Sequence, residues 1–339
     1  MDPLTQGVVG ATAAQLLSEP KHKVAAAVIG FFSGMAADLD VLIRSSKDPL
    51  LFLEFHRHFT HSLVFIPVGA LLCTLAFRVV FRSWFKRHNV NFKTTYMFSF
   101  AGYATHALLD ACTTYGTQLL WPFSHARVTW NTVSVIDPLF TLPLMVMVFV
   151  AVYRRSTALA WLGTAYAFLY LGLGVLQHQR AENAAYELAL NRGHTPVNLG
   201  VKPSMANIVV WKSVYEYEGR YHVDAVRVFS KPKVYQGTAV DKLNLTTHFT
   251  WLDAASQQAK DVDRFRWFSN QHLGVDPMNS NRIIDIRYSL IPNEVTGMWG
   301  IVLSDEKSLN EHVEWTTNRP QGPQATKKIK QLWGMILGQ

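Results

Sequence analysis

Three short segments in the first half of this 339-residue chain hold side chains whose types and spacing suit metal chemistry. Asp38 and Asp40 stand two residues apart at the end of an apolar run, where a turn lets two carboxylates bracket one cation. Solvated acids closing a helix are the alternative. His56, His58 and His61 place three imidazoles within six residues, and neutral imidazole is a common ligand for zinc and similar metals. On a helix His58 and His61 would share a face, whereas His56 and His61 suit a turn; a histidine cluster without a ligand is again the alternative. His106 and Asp110 are spaced i, i+4, so one helix face carries both, either for an ion or as a buried hydrogen-bonded couple. Asp137 precedes Pro138, which fits a further ligand or the N-cap of a helix.

Together these groups offer more oxygen and nitrogen donors than one metal needs. That surplus allows one metal beside a free carboxylate, or two metals bridged by an aspartate. Mixed histidine and carboxylate ligation suits a divalent ion, with zinc foremost and manganese or iron as alternatives. Such an ion acidifies a bound water, and Asp40 and Asp110 are the candidate catalytic carboxylates to take its proton. The sequence holds no Gly-x-Ser-x-Gly elbow and no glycine-rich phosphate loop.

The elements that must position these residues are apolar. Hydrophobic residues make up 49% of the chain and charged residues only 17%, less than in typical soluble proteins. Charge is unevenly spread: residues 1–179 hold 13 Lys and Arg with 8 Asp and Glu, and the last 160 residues hold 19 and 16. Apolar runs near spanning length cover Val24–Ile43, Leu63–Phe81, Tyr96–Cys112, Leu139–Tyr153 and Ala158–Leu176. Leu4–Leu17 is too short to span comfortably and reads as re-entrant or interfacial. Arg78, Arg82, Lys86, Arg87 and Lys93 fill one loop without an acid, and Arg154 and Arg155 fill another. Both loops are expected on the cytoplasmic side. The acid and histidine clusters then share the opposite face. The net charge of +8 is explained by membrane orientation, so no nucleic-acid partner is expected. Cys73 and Cys112 lie in apolar stretches and read as small buried side chains.

From about Gln179 the composition is that of a water-soluble domain. Ile208–Tyr217 and Arg220–Phe229 flank Glu218-Gly219 and read as a hairpin, and a second is expected from Ile284–Ile291 and Gly297–Leu303. Trp251–Phe268 has helical character. The tail Lys327–Trp333 fits either an ordinary surface helix or an amphipathic helix lying on anionic lipid.

Several motifs resemble the family of membrane-bound metal-dependent hydrolases related to the YdjM inner-membrane protein. They are the opening Met1–Gln6, Ala37–Asp40, His56-Arg57-x-Phe59-Thr60-His61-Ser62 and Thr105–Asp110. Thr113–Gln118, Trp121–Ser124 and Ile136–Pro138 complete the set, which follows in order over roughly the first 140 residues. The resemblance implies a metal site of Asp38, Asp40, His56, His61, His106 and Asp110. Gln6 stands where many relatives carry His, and His58 where many carry Gly, so His58 reads as an addition to the pattern.

The expected architecture is a mainly α, polytopic helical membrane domain over residues 1–178. A smaller soluble α+β domain with antiparallel sheet follows over residues 179–339, on the extracytoplasmic side of a bacterial-type inner membrane. The expected activity is hydrolysis of an ester or phosphoester in a lipid or other membrane-associated substrate. A non-catalytic, metal-stabilised membrane scaffold or sensor is the alternative, and a transporter with an intramembrane ion path is a second. Partners are the bilayer and an interfacial substrate; substrate and oligomeric state are not encoded legibly.

Overall fold

The computed structural model describes all 339 residues, which form two compact units. The first comprises residues 1–42, 55–175 and 205–207, and the second residues 43–54, 176–204 and 208–339.

The first unit is helical. Helix α1 (Pro3–Leu16) opens on an Asp2 cap, and α2 (Lys23–Met35) runs into a tight 3-10 turn over Ala36–Leu42. After α3 (Leu51–Phe55), α4 (Ile66–Val80), α5 (Arg82–Arg87) and α6 (Phe92–Ala111) follow. Next come α7 (Pro138–Arg154) and α8 (Thr157–Asn191). Three stretches are long and apolar enough to cross a membrane: Pro20–Leu42, Leu63–Val80 and Thr157–Asn191. The expected span around Tyr96–Cys112 lies in α6, a 20-residue helix with about half of its residues buried, and Pro138–Arg154 is a shorter apolar helix. The stretch expected to be re-entrant or interfacial is α1, with most of its residues buried inside this unit. Large apolar side chains on α4, α7 and α8 point outward; Val79, Phe149 and Leu169 are among the exposed residues. In water such a belt would be costly, and in a bilayer hydrocarbon it is the matching surface.

Glycine sets how close the inner helices come. A Cβ on Gly10 of α1 would stand 2.4 Å from the Gly30 carbonyl oxygen of α2, and one on Gly102 of α6 would meet the same oxygen at 2.4 Å. A Cβ on Gly34 would lie 2.6 Å from the Gln6 carbonyl. Gly30 and Gly34, four apart, thus present one bare helix face to two neighbours, as small residues do where membrane helices pack backbone to backbone.

The second unit carries two four-stranded antiparallel sheets. The first orders β1 (Val197–Pro203), β2 (Val210–Tyr217), β3 (Arg220–Val228) and β4 (Pro232–Asp241) consecutively. Tyr217 pairs Arg220 across the Glu218-Gly219 turn, where both residues have positive φ, matching the expected hairpin. After the short α9 (Leu245–His248) and α10 (Gln257–Phe268), the second sheet orders β5 (Leu273–Asp276), β6 (Asn279–Asp285), β7 (Trp299–Val302) and β8 (Glu314–Thr317). The second expected hairpin forms between β6 and β7, which pair antiparallel, but with shifted bounds. Its first strand ends at Asp285, and Ile286 and Ile291 leave the ladder to bury their side chains in the core. Helix α11 (Gly322–Leu337) closes the chain, burying Leu332 and Met335 against Val210, Ala225 and Ile291. Residues 43–54 are held in this unit by Arg264, which bonds Asp48, Glu54 and Asp261, and by Phe52 edge-on to Trp315.

Gly30→Ala should reduce unfolding stability in detergent by about 1–3 kcal/mol, the usual cost of overpacking. Gly172→Ala, at a position with open space around it, should cause no loss. Equal thermal unfolding of the two variants would show that the helices are not packed backbone to backbone.

Candidate metal centre

The six residues that the sequence singled out converge on one pocket. The 3-10 turn after α2 supplies Asp38 and Asp40, the turn following α3 supplies His56 and His61, and the last turns of α6 supply His106 and Asp110. His61, His106 and Asp110 are fully buried, while the Asp38 side chain keeps 18% of its surface exposed.

Four donor atoms face one another. His61 Nε2 lies 2.9 Å from His106 Nε2, 3.5 Å from Asp38 Oδ1 and 3.2 Å from Asp110 Oδ2. His106 Nε2 lies 3.4 Å from Asp38 Oδ1 and 3.6 Å from Asp110 Oδ2. Nitrogen and oxygen ligands sit about 2.0–2.2 Å from a zinc ion, which places tetrahedral donors about 3.3–3.6 Å apart. The five separations scatter around that value.

The opposite ring nitrogens explain why the donors point inward. His106 Nδ1 is 2.5 Å from the Gly34 carbonyl oxygen, which can only accept, so Nδ1 carries the proton and Nε2 presents a lone pair. His61 Nδ1 is 3.1 Å from Asp40 Oδ2 and 3.0 Å from Thr60 Oγ1, while Thr60 itself donates to Asp40 at 2.8 Å. The same reasoning leaves a lone pair on His61 Nε2. Two lone pairs 2.9 Å apart repel unless positive charge lies between them. Among the protein groups alone, burial lowers the His61 pKa, but hydrogen bonds to Asp110, Asp38 and Asp40 outweigh it and raise the pKa to about 10. The pocket therefore calls for a cation, either a proton or a metal. Asp110 Oδ2 is fully buried between the Arg57 guanidinium, whose Nε is 2.9 Å away, and the two imidazoles of the donor set.

The surrounding groups hold the donors in place. Asp40 accepts from His56 Nδ1 at 2.8 Å and from the Arg57 backbone nitrogen at 2.9 Å, besides bracing His61. Its carboxylate thus fixes the tautomers of two histidines. Arg57 is buried at φ 64°, a left-handed conformation rare for a residue with a side chain. Its Nε lies 2.9 Å from Asp110 Oδ2, its Nη1 donates to Thr113 Oγ1, and its guanidinium covers the Tyr115 ring. Asp110 Oδ1 accepts from Gln6 Nε2 at 2.8 Å and is also reached by the Met1 nitrogen. Asp38, Asp40 and His56 form a second, three-membered group of possible donors. His56 keeps 17% of its side-chain surface, and burial holds its pKa below the ordinary imidazole range despite Asp40.

His58 lies outside both donor groups, packed among Phe55, Phe59 and Trp121. Asp137 caps α7, accepting from the Leu139 and Phe140 nitrogens, and also accepts from the Tyr170 hydroxyl. The bracing roles of Gln6, Thr60, Thr113 and Tyr115, and the Gly34 carbonyl contact, were not legible in the sequence. These residues are ordinary helix or turn residues locally, and only their neighbours make them part of the site.

His61→Ala or His106→Ala should abolish stoichiometric metal in detergent-purified protein, read by elemental analysis. Asp40→Asn should leave the donors but weaken metal affinity about 10–100-fold, as loss of a bracing carboxylate does. Undiminished affinity in Asp40→Asn would remove the bracing role.

The known proteins similar to this chain are inner membrane proteins. Inner membrane protein YbcI of Escherichia coli (strain K12) is 37% identical over 112 residues, which is 31% of this chain and 60% of that protein. The match therefore spans less than two thirds of the relative's length. No solved structure matches. The model of the family described as YdjM inner membrane protein covers residues 1–181, all of the helices and turns that supply the pocket, and the chain belongs to that family.

Proposed function

We propose that this protein is a membrane-embedded, metal-dependent hydrolase acting on an ester or phosphoester bond of a lipid or other membrane-associated substrate. The observation that carries the reading is the pair of inward-facing imidazole lone pairs with two carboxylates at tetrahedral spacing. Asp38, His61, His106 and Asp110 would hold the ion, and nitrogen and oxygen donors at this spacing favour zinc. A bound zinc ion supplies Lewis acidity and a more acidic water.

The chain's own residues divide the remaining work. His56 donates Nδ1–H to Asp40, so its Nε2 is the basic atom and Asp40 keeps the ring oriented for proton transfer. Asp40, with each oxygen already engaged by donors, acts through His56 and His61. Arg57 neutralises Asp110 and prevents three carboxylates from repelling one another in a buried pocket. Asp38 and His56 are the pocket members that retain exposure, so substrate would approach from their side.

One observation favours a second reading. Four protein donors close a tetrahedral shell, as in structural zinc sites, so a metal-stabilised scaffold or sensor would need nothing more. Zinc-loaded protein should turn over a chromogenic ester or phosphoester, or a phospholipid, in nanodiscs. His56→Gln should lower kcat about 10²–10⁴-fold, the range of a general base, with metal content unchanged. Fully loaded wild type inert toward all three substrate classes would give the site to the scaffold reading.

For orientation we place the loops containing Arg78 to Lys93 and Arg154-Arg155 in the cytoplasm, which sets the chain beyond α8 on the extracytoplasmic side. A cysteine introduced at Met278, where the side chain is 90% exposed, should react with a membrane-impermeant thiol reagent in intact spheroplasts. Labelling only after lysis would reverse the orientation.

A further inference from the structure

The second unit carries an apolar and basic patch that the metal site does not use. On α11 one face packs into the core through Leu332 and Met335. Beside it, Ile329, Trp333 and Leu337 recur every four residues and are 50%, 61% and 58% exposed. They form a stripe about 12 Å long on the helix surface. The turn between β3 and β4 adds Phe229, 62% exposed. Arg227 joins the two: its guanidinium lies 5.2 Å from the Phe229 ring centre and its Nε donates to the Ile336 carbonyl.

The charge around these residues is mainly basic, with Lys328 of α11 paired to Glu294. Lys231, Lys327 and Lys330 are exposed, and none of them pairs with a carboxylate. An apolar stripe with an aromatic ring, flanked by unpaired lysines, has the chemistry of an interfacial helix on anionic lipid.

Chain connectivity along α8 gives a second argument. The charge-free apolar run of α8 ends at Leu176, followed directly by Gln177 and, after two further residues, Arg180. Gln177 Nε2 donates to the Val228 carbonyl at 2.6 Å, and Arg180 Nη2 donates to the Phe229 carbonyl at 2.7 Å. The β3–β4 turn is therefore fastened to the first turn of α8 beyond its apolar segment. The same helix tethers the patch to the membrane, so contact with lipid is intramolecular in effect.

We propose that the β3–β4 turn and α11 form a membrane-contact surface that inserts Phe229 and the Ile329–Trp333–Leu337 stripe among anionic phospholipid headgroups. The surface rests on the membrane character of the chain and is independent of any hydrolase activity.

The test uses the full chain in nanodiscs, with Cys73 and Cys112 replaced and a nitroxide attached through Ile329→Cys or Leu337→Cys. In phosphatidylglycerol-containing discs, relaxation of the label by oxygen should exceed relaxation by a water-soluble nickel chelate. Lys231→Glu with Lys327→Glu and Lys330→Glu should reverse that ratio, and a label at Met278→Cys should favour nickel in every disc. A stripe label equally open to nickel in phosphatidylglycerol and phosphatidylcholine discs would overturn the proposal. Protection that appears only with two copies per disc would overturn it too and assign the face to self-association. Should labelled variants fail to fold, brominated phosphatidylglycerol should quench unlabelled wild type more than Trp333→Phe. Equal quenching would overturn the proposal.

Discussion

The crossing of α1, α2 and α6 at glycine is the constraint on which the rest of the first unit depends. With side chains at Gly10, Gly30 or Gly102 the three backbones would separate. The Gly34 carbonyl could then no longer reach His106 Nδ1, and Gln6 could no longer reach Asp110. The tautomer of His106 and the direction of the Asp110 carboxylate therefore follow from a backbone distance. This couples the two requirements of a membrane-embedded site: helices without a hydrophobic drive to associate in lipid, and polar groups that must be satisfied internally.

Around that crossing, every ionisable group in the pocket has a defined partner. Asp40 binds two histidines and a backbone amide, Arg57 lies against Asp110, and Tyr115 stacks under the guanidinium. Unpaired charges at this burial would be very costly, and removal of one partner leaves the other stranded. Asp40 thus braces both histidines, and it also belongs to the second donor group with Asp38 and His56. Arg57 in a left-handed conformation shows the same economy, since its amide turns toward Asp40 while its side chain reaches Asp110. Such strain persists where the surroundings over-determine it, as at functional sites.

The second unit follows different rules, built on sheets and ion pairs. Its helix α10 is polar on the outside, its strands β2 and β3 are buried along most of their length, and its large ionic network gathers on Arg264. The exposed apolar stripe on α11 breaks this pattern, which is why it stands out against a surface otherwise suited to solvent.

The sequence by itself determined the local features. Charge-free apolar runs specified membrane helices, Glu218-Gly219 specified a hairpin with two positive φ angles, and Asp137-Pro138 specified a helix cap. It also identified the residue types of the pocket, because histidine and aspartate are expensive inside apolar helices unless they serve a purpose. Tertiary structure alone decided which of them share a point. Helical periodicity sets the face of His106 and Asp110, but not the distance from that face to a turn 45 residues earlier that carries His61. The same limit separates His58 from His61, three residues apart in sequence but directed into an aromatic cluster and into the donor set. It also accounts for Ile286–Ile291, whose strand-like composition is satisfied by burial in the core without a partner strand. Local chemistry sets which groups can act, and long-range packing sets which of them meet.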